Sequence, residues 1–405
     1  MNIRSFKDFD KYMNIFKPDE NKREINIYKY DNCIPCGHNL YYPNVLLNNA
    51  DNGLIMPLIE RTMSLGPETI YEKSNMSFDY KSKKINTIYN NPVFFFVYNT
   101  DNYYHYIYDT LPYLISFLKL KLQIPEVKLL MQLPNEQKNT FYPFVIEFLE
   151  ILNIYQNDIV LIDDNTIYNT IYISTSYTHD IDSNLPPRKE IYSFYQDIVN
   201  IVKEKYSLDY NSPSKIYISR RTWLHNDFSN IGTNYTTRRR LVNEDELVER
   251  LKCDGFTEVF TEKLTTTERI LYFSNATHVV GAIGGGISNV LFSPKTTKLE
   301  AIISPTFLEV NKRFCYSLDC VDVFYNYNTI HIEDGDFKIY MRVKTKDNKI
   351  IGEIEKIYDD KLLVSYTDGS NTGWNSQNTF KQIELYKNEV TKLDNGLNSA
   401  WKLMF

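Results

Sequence analysis

The chain runs to 405 residues, 43% hydrophobic and 24% charged, with a formal net charge of −6. That length and composition hold two α/β domains and a small further module, each with enough apolar material for a core. The acidic balance argues against a mainly nucleic-acid-binding protein, and five cysteines in so long a chain do not suggest a disulfide framework.

The first residues, MNIRSFKDFDKY, are mixed polar and lack the basic, apolar, small-residue order of a signal peptide. The longest apolar run, Pro92–Tyr98, is strand-sized and too short for a membrane span. A soluble, reduced protein of the cytoplasm is expected. Phe6–Phe16 reads as a helix, and Glu24–Lys29 alternates like a strand. Cys33, Cys36 and His38 have ligand-like spacing, but a closed zinc site needs a fourth ligand, and Cys253, Cys315 and Cys320 are scattered. These thiols read as structural, and no metal site is expected. Asp8-Phe9-Asp10 and Asp180-Ile181-Asp182 could suggest metal-dependent chemistry, but neither closely follows an apolar strand, so both read as solvated surface.

Pro92–Asn99 is a continuous apolar run suited to a strand buried on both faces. After it come a helical run to Leu122, a strand at Val127–Leu133, a helix near Tyr142–Leu152 and strands at Ile159–Ile162 and Ile167–Ser174. This alternation predicts a first doubly wound domain over 1–185. The polar, proline-bearing stretch from His179 to Arg188 reads as the interdomain connection. Lys189–Tyr206 is an amphipathic helix with Ile191, Phe194, Ile198, Ile201 and Val202 on its apolar side.

A second α/β domain is predicted over 186–335. Ile216–Ile218 forms a strand with Arg220 and Arg221 at its end, and Val242–Leu251 has helical spacing. A strand ends at Val259-Phe260, and Thr265–Phe273 reads as a helix with threonines at its start. The strand His278–Gly281 runs into Gly284-Gly285-Gly286, after which Ser288 and Asn289 open a short apolar helix stopped by Pro294. Strand, glycines and helix together let backbone N–H groups approach a phosphate. A helix at Leu308–Leu318 and a strand at Val321–Tyr325 complete the domain. From Asp336 the pattern becomes short alternating strands separated by Asp-Asn, Asp-Asp and Asp-Gly turns, predicting a small SH3- or Tudor-like β-barrel over 336–395 and a tail, 396–405. Tyr358, Tyr366 and Trp374 could line a groove on it, though aromatic residues in so small a barrel are more often core.

Two blocks carry a resemblance. One runs from the strand with its Ser219-Arg220, through Arg239-Arg240-Leu-Val-Asn243-Glu244 and Glu268-Arg269-Ile270, to the glycine turn with Asn289 and Pro294. The other is Tyr104-His105-Tyr106-Ile107-Tyr108-Asp109-Thr110-Leu111-Pro112, about a hundred residues upstream. Together they resemble glycosyltransferase family 61, which includes xylan-decorating and protein-glycan GlcNAc transferases. The family usually has a histidine just before its first glycine, where this chain has Ile283.

The resemblance implies an α/β protein of GT-B type, two Rossmann-like domains facing a cleft, with the small barrel appended. Its implied activity is inverting, metal-independent transfer of a sugar from a nucleotide-sugar co-substrate, UDP-linked, to a glycan or protein hydroxyl. No cofactor is implied, and the soluble character suits a bacterial or viral member, the latter in the host cytoplasm. Donor contacts would fall to Arg220, Arg221, Arg239, Arg240, Asn243, Glu262, Gly284, Gly285, Gly286, Ser288 and Asn289. Asp109 would be the general base on the acceptor hydroxyl, oriented by His105, four residues away and on the same helix face. Plainer readings stay open: Arg238–Arg240 as a solvated basic turn, the glycines as turn chemistry, and His105 with Asp109 as a helix N-terminal pair. Two functional alternatives also stand, a non-catalytic sugar-binding relative and an adaptor acting through the barrel. Oligomeric state, sugar and acceptor are not legible in the sequence.

Overall fold

Val93, Phe94, Phe95 and Phe96 are fully buried, as strand residues must be where a parallel sheet is covered on both faces. The structure, a computed structural model, describes residues 24–35, 46–48, 54–55, 85–96, 100, 102–133, 140–163, 165–178, 187–206, 212–221, 244–282, 284–302, 318, 320–324, 327–329, 337, 342–347, 349–367, 380–392 and 401–403. They form two compact units, one within 11–208 and the other within 209–405. The predicted helices Phe6–Phe16 and Leu308–Leu318, except Leu318, lie outside the described residues, as do Cys36, His38 and Trp374.

In the first unit a mixed sheet is built from β1 (Ile27–Pro35), β2 (Leu46–Asn48), β3 (Leu54–Ile55), β4 (Thr87–Tyr89), β5 (Val93–Phe95), β6 (Lys128–Met131), β7 (Ile159–Leu161) and β8 (Thr166–Ser174). Its order is β3-β2-β1-β8-β5-β6-β7, with β4 also paired to β8. Strands β4 to β8 are parallel, while β1 runs antiparallel along β8 from Ile27 opposite Ser174 to Cys33 opposite Tyr168. Residues before 90, which sequence patterning left without a clear role, thus supply an antiparallel edge. Val93 and Phe95 pack on one face with Cys33, Leu130, Tyr168, Ile171 and Ile173. On the other, Phe94 meets Phe117 of a helix, ring centroids 5.8 Å apart.

The chain leaves β5 through α1 (Tyr103–His105), a π-helical turn (Tyr106–Thr110) and α2 (Tyr113–Gln123), which carries Phe117. It passes through β6, α3 (Pro143–Ile151) and β7 before β8 returns to the far side of β5. The strand order therefore reverses between β5 and β8. Helix α4 (Glu190–Lys205) belongs to this first unit, beyond the boundary predicted at 185. Its Tyr195, absent from the predicted apolar stripe, is fully buried and donates to the Ile107 carbonyl at 2.6 Å.

The second unit contains a parallel sheet of β9 (Lys215–Ile218), β10 (Thr257–Val259), β11 (His278–Ala282), β12 (Lys298–Ile302) and β13 (Cys320–Phe324), in the order β10-β9-β11-β12-β13. This is a doubly wound order whose direction switches between β9 and β11. Helix α5 (Glu244–Cys253) buries Leu247, Val248 and Leu251 against Tyr217, Val280, Ala282 and Ile302 of the sheet. Helix α6 (Thr266–Asn275) is started by a capping box: Thr265 and Glu268 exchange side-chain to backbone hydrogen bonds.

Later strands form two further sheets. β14 (Tyr327–Thr329) pairs with β20 (Trp401–Leu403). β15 (Arg342–Thr345), β16 (Ile351–Ile357), β17 (Lys361–Thr367) and β18 (Phe380–Tyr386) form an antiparallel meander, and β19 (Val390–Lys392) returns to pair with β15. Val343, Ile354, Leu362, Val364, Leu385 and Val390 give this module its own core. Tyr358 is exposed at its β16–β17 turn. Among the described residues, no helix is long and apolar enough to cross a membrane.

Candidate functional site

Asn102 starts α1 by accepting hydrogen bonds from the backbone N–H groups of Tyr104 and His105, at 3.0 and 3.3 Å. The next turn is π-helical, closed by Leu111 N–H to the Tyr106 carbonyl at 2.7 Å. In that register the next donor would be residue 112, reaching the carbonyl of Ile107, but Pro112 has no N–H. Tyr195 supplies the missing donor. Burial pushes its hydroxyl far above the usual range, with the nearby Asp109 adding to the shift, so it remains a proton donor. The Leu-Pro of the block and a tyrosine 83 positions beyond Pro112 therefore fix one turn.

That turn brings His105 and Asp109 together, Nδ1 to Oδ2 at 2.6 Å, with side chains 13% and 14% exposed. Tyr104 stacks on Tyr108, ring planes 8° apart, and its ring also meets His105 at 4.9 Å between centroids. A carboxylate on Nδ1 fixes the imidazole tautomer, with the proton on Nδ1 and the lone pair on Nε2. The i, i+4 reading of the pair thus describes its proximity, and the geometry adds which ring nitrogen is engaged.

In the second unit, Arg220 and Gly284 come just after β9 and β11, the two strands flanking the switch. Arg220 lays its guanidinium over Gly284: a Cβ on that glycine would lie 2.1 Å from Nη1. A Cβ on Gly286 would lie 2.8 Å from Thr261 Oγ1 and 2.9 Å from Ile218 Cγ2. One glycine makes room for an arginine and the other for the ends of two strands. The chain leaves the glycines in a 3₁₀ helix, Gly286–Phe292, rather than an α-helix. Ser288 and Asn289, both buried, donate back to the carbonyls of Gly285 and Gly286 at 2.5 and 2.8 Å, so those bonds hold the turn from inside.

The adjacent arginines differ. Arg221 forks onto Glu258, Nε to Oε1 at 2.9 Å and Nη2 to Oε2 at 2.6 Å, and its Nη1 reaches Asp245 at 2.6 Å. Its guanidinium is committed to carboxylates rather than turned with Arg220 to the glycine turn. Glu262 lies half-buried in a 3₁₀ turn, Thr261–Lys263, just after β10. Arg239, Arg240, Asn243 and Ile283 lie outside the described residues.

Arg269 and Glu244, both within the block from Ser219 to Pro294, had no predicted role. Arg269, 2% exposed, donates from Nε to the Thr261 carbonyl at 2.7 Å and so fixes the turn against which Gly286 packs. Glu244 opens α5 at 1% exposure. Its Oε1 accepts from Tyr217 Oη at 2.8 Å, Ser219 Oγ at 3.2 Å and the Arg220 backbone N–H at 2.7 Å. Burial pushes its carboxyl pKa up, against the pull of these hydrogen bonds. An acidic first helical turn normally reads as a solvated dipole partner. The only sequence signal for Glu244 was its place at the end of the Arg-Arg-x-x-Asn-Glu pattern.

Residues 103–299 match the family model for Glycosyltransferase 61. The match supports a glycosyltransferase activity, with a sugar donor and an acceptor as substrates, and spans both the His105–Asp109 turn and the Arg220–Gly284 contact. No protein of curated function matches the chain.

Proposed function

We propose that the protein transfers a sugar, with inversion and without a metal, from a UDP-linked donor to a hydroxyl of a glycan or protein. In one displacement the acceptor oxygen bonds to the anomeric carbon as the carbon–oxygen bond to the diphosphate breaks. The acceptor proton passes to an enzyme base, and the diphosphate leaves with the bonding pair. Charge grows on the leaving diphosphate, and a guanidinium beside a side-chain-free turn can meet it bidentately. A run of parallel strands with a switch point in each unit's sheet supports the GT-B-type reading. The return of β19 to β15 supports the small-barrel reading of the C-terminal module.

For the base, the Nδ1–Oδ2 contact favours a dyad. Asp109 holds the Nδ1 proton of His105, and Nε2 receives the acceptor proton. This reverses the roles that the resemblance implies, in which Asp109 is the base and His105 orients it.

The observation that carries the donor assignment is Arg220 lying over Gly284 at the switch between β9 and β11. Its test is calorimetric titration of UDP into two variants. Arg220→Ala should weaken binding about 10- to 150-fold, the equivalent of ~1.5–3 kcal/mol for hydrogen bonds to a charged group. Arg221→Ala should bind nearly as wild type and melt at a lower temperature, because Glu258 loses its partner. Unchanged affinity in Arg220→Ala overturns the donor assignment. Donor binding without turnover on any acceptor would favour the non-catalytic reading.

A further inference from the structure

Only one oxygen of the buried Glu244 carboxyl is used. Oε1 takes three hydrogen bonds, from Tyr217, Ser219 and the backbone of Arg220, while Oε2 is buried with no hydrogen-bond partner among the described residues. Buried polar atoms are nearly always satisfied, so an exception at a candidate site calls for a cause. Holding the Ser219–Arg220 backbone does not supply one. An amide oxygen would accept the same three bonds without placing a charge in a dry site. The second oxygen of an acid is therefore surplus to the structural task.

Its location narrows what could fill the gap. Glu244 sits at the start of α5, bonded to the backbone of the residue whose guanidinium covers Gly284. A molecule bound there must present negative charge to Arg220. To Glu244 Oε2 it must present a neutral hydrogen-bond donor, since a second anion would be repelled. A phosphate ester of a polyol has both features a few bonds apart. Resting on the donor reading above, we propose that Glu244 Oε2 accepts a hydrogen bond from a hydroxyl of the nucleotide-sugar, making Glu244 a specificity residue for the donor. Both ribose and the transferred sugar carry such hydroxyls.

The test titrates the full chain, wild type and Glu244→Gln, with UDP, 2′-deoxy-UDP, 3′-deoxy-UDP and UDP-glucose. If ribose is read, wild type should prefer UDP over one deoxy analogue by about 10- to 150-fold, the range for a hydrogen bond to a charged acceptor. If the transferred sugar is read, the deoxy analogues should bind like UDP and UDP-glucose should bind tighter by a similar factor. In either case Glu244→Gln should shrink the preference at least ~5-fold, because a neutral bond replaces a charge-assisted one. Equal binding of all four probes to wild type overturns the proposal without any variant, so a poorly folding Glu244→Gln protein does not protect it. A preference unchanged in a folded Glu244→Gln protein also overturns it. Those outcomes leave the donor reading standing. Failure of wild type to bind UDP, ADP, GDP or CDP removes the donor reading and this proposal together.

Discussion

Two strand ends, each beside the point where its sheet reverses direction, are finished in opposite ways. After β5 the chain places reactive side chains close together, His105 against Asp109 and Tyr104 over Tyr108. A π-helical turn and a tyrosine from a distant helix hold them there. After β11 the chain removes side chains, and the space at Gly284 is taken by an arginine from the neighbouring strand end. The first arrangement suits moving a proton; the second suits holding an anion against bare backbone. A proton needs a positioned base, whereas a developing charge needs fixed dipoles and a cation.

The comparison breaks most visibly at the first strand end. His105→Ala and Asp109→Asn should each lower turnover by about 10²–10⁴-fold, the usual contribution of a positioned base. UDP affinity should not move in either variant. With Nε2 as the proton acceptor, His105→Ala loses at least as much as Asp109→Asn. Turnover within about tenfold of wild type in His105→Ala, beside a collapsed Asp109→Asn, would return the base to Asp109. Near-wild-type turnover in both variants would make the turn structural.

At the second strand end the glycines should separate. Gly284→Ala puts a methyl group against the far end of the Arg220 side chain, which can swing away. It should weaken UDP binding nearly as much as Arg220→Ala, with little change in melting temperature. Gly286→Ala puts its methyl group against Thr261 and Ile218, short branched side chains at two strand ends. Overpacking of that kind costs about 1–3 kcal/mol. The melting temperature should fall accordingly, by ~2–4 °C per kcal/mol for a domain of this size. Gly284→Ala with unaltered UDP affinity would show that the arginine contact is packing alone.

Sequence patterning located most strands and helices because their apolar residues obey one period. β5 is a continuous apolar run, and α6 carries a capping box that Thr265 and Glu268 announce. β1 is different: Glu24–Lys29 alternates, but the strand is Ile27–Pro35, placed by its register with β8. The π-helical turn is invisible to spacing, since residues four apart meet in an α-helix as well. Only Leu111-Pro112 hinted that one carbonyl would need an outside donor. Arg220 and Arg221 are identical as letters, and only Glu258 and Asp245, 37 and 24 positions away, tell them apart. Glu244 carries no sequence signal of burial, since its helix is acidic at that end, and only contact with β9 reveals it.

The smallest expected effect is a control that should touch neither strand end. Arg188 forks onto Glu190 at the start of α4, Nε to Oε2 at 2.8 Å and Nη2 to Oε1 at 2.7 Å. The Arg188 hydrogen bonds hold the Glu190 carboxyl below its ordinary value of 4.5. A carboxyl with a depressed folded-state pKa adds stability above its unfolded pKa, and that stability is lost as pH falls through the folded value. Glu190 is 40% exposed, so screening limits the pair to about 0.2–1 kcal/mol. Glu190→Gln should therefore melt no more than ~4 °C below wild type at neutral pH. The gap should close in acid, where wild-type Glu190 is protonated and resembles the amide. Turnover and UDP affinity should stay at wild-type levels throughout. A gap persisting well below the ordinary carboxylate range would mean that packing, not charge, supplies the difference. Lost turnover in this variant would mean that α4, through Tyr195, transmits small changes at its start to the His105–Asp109 turn.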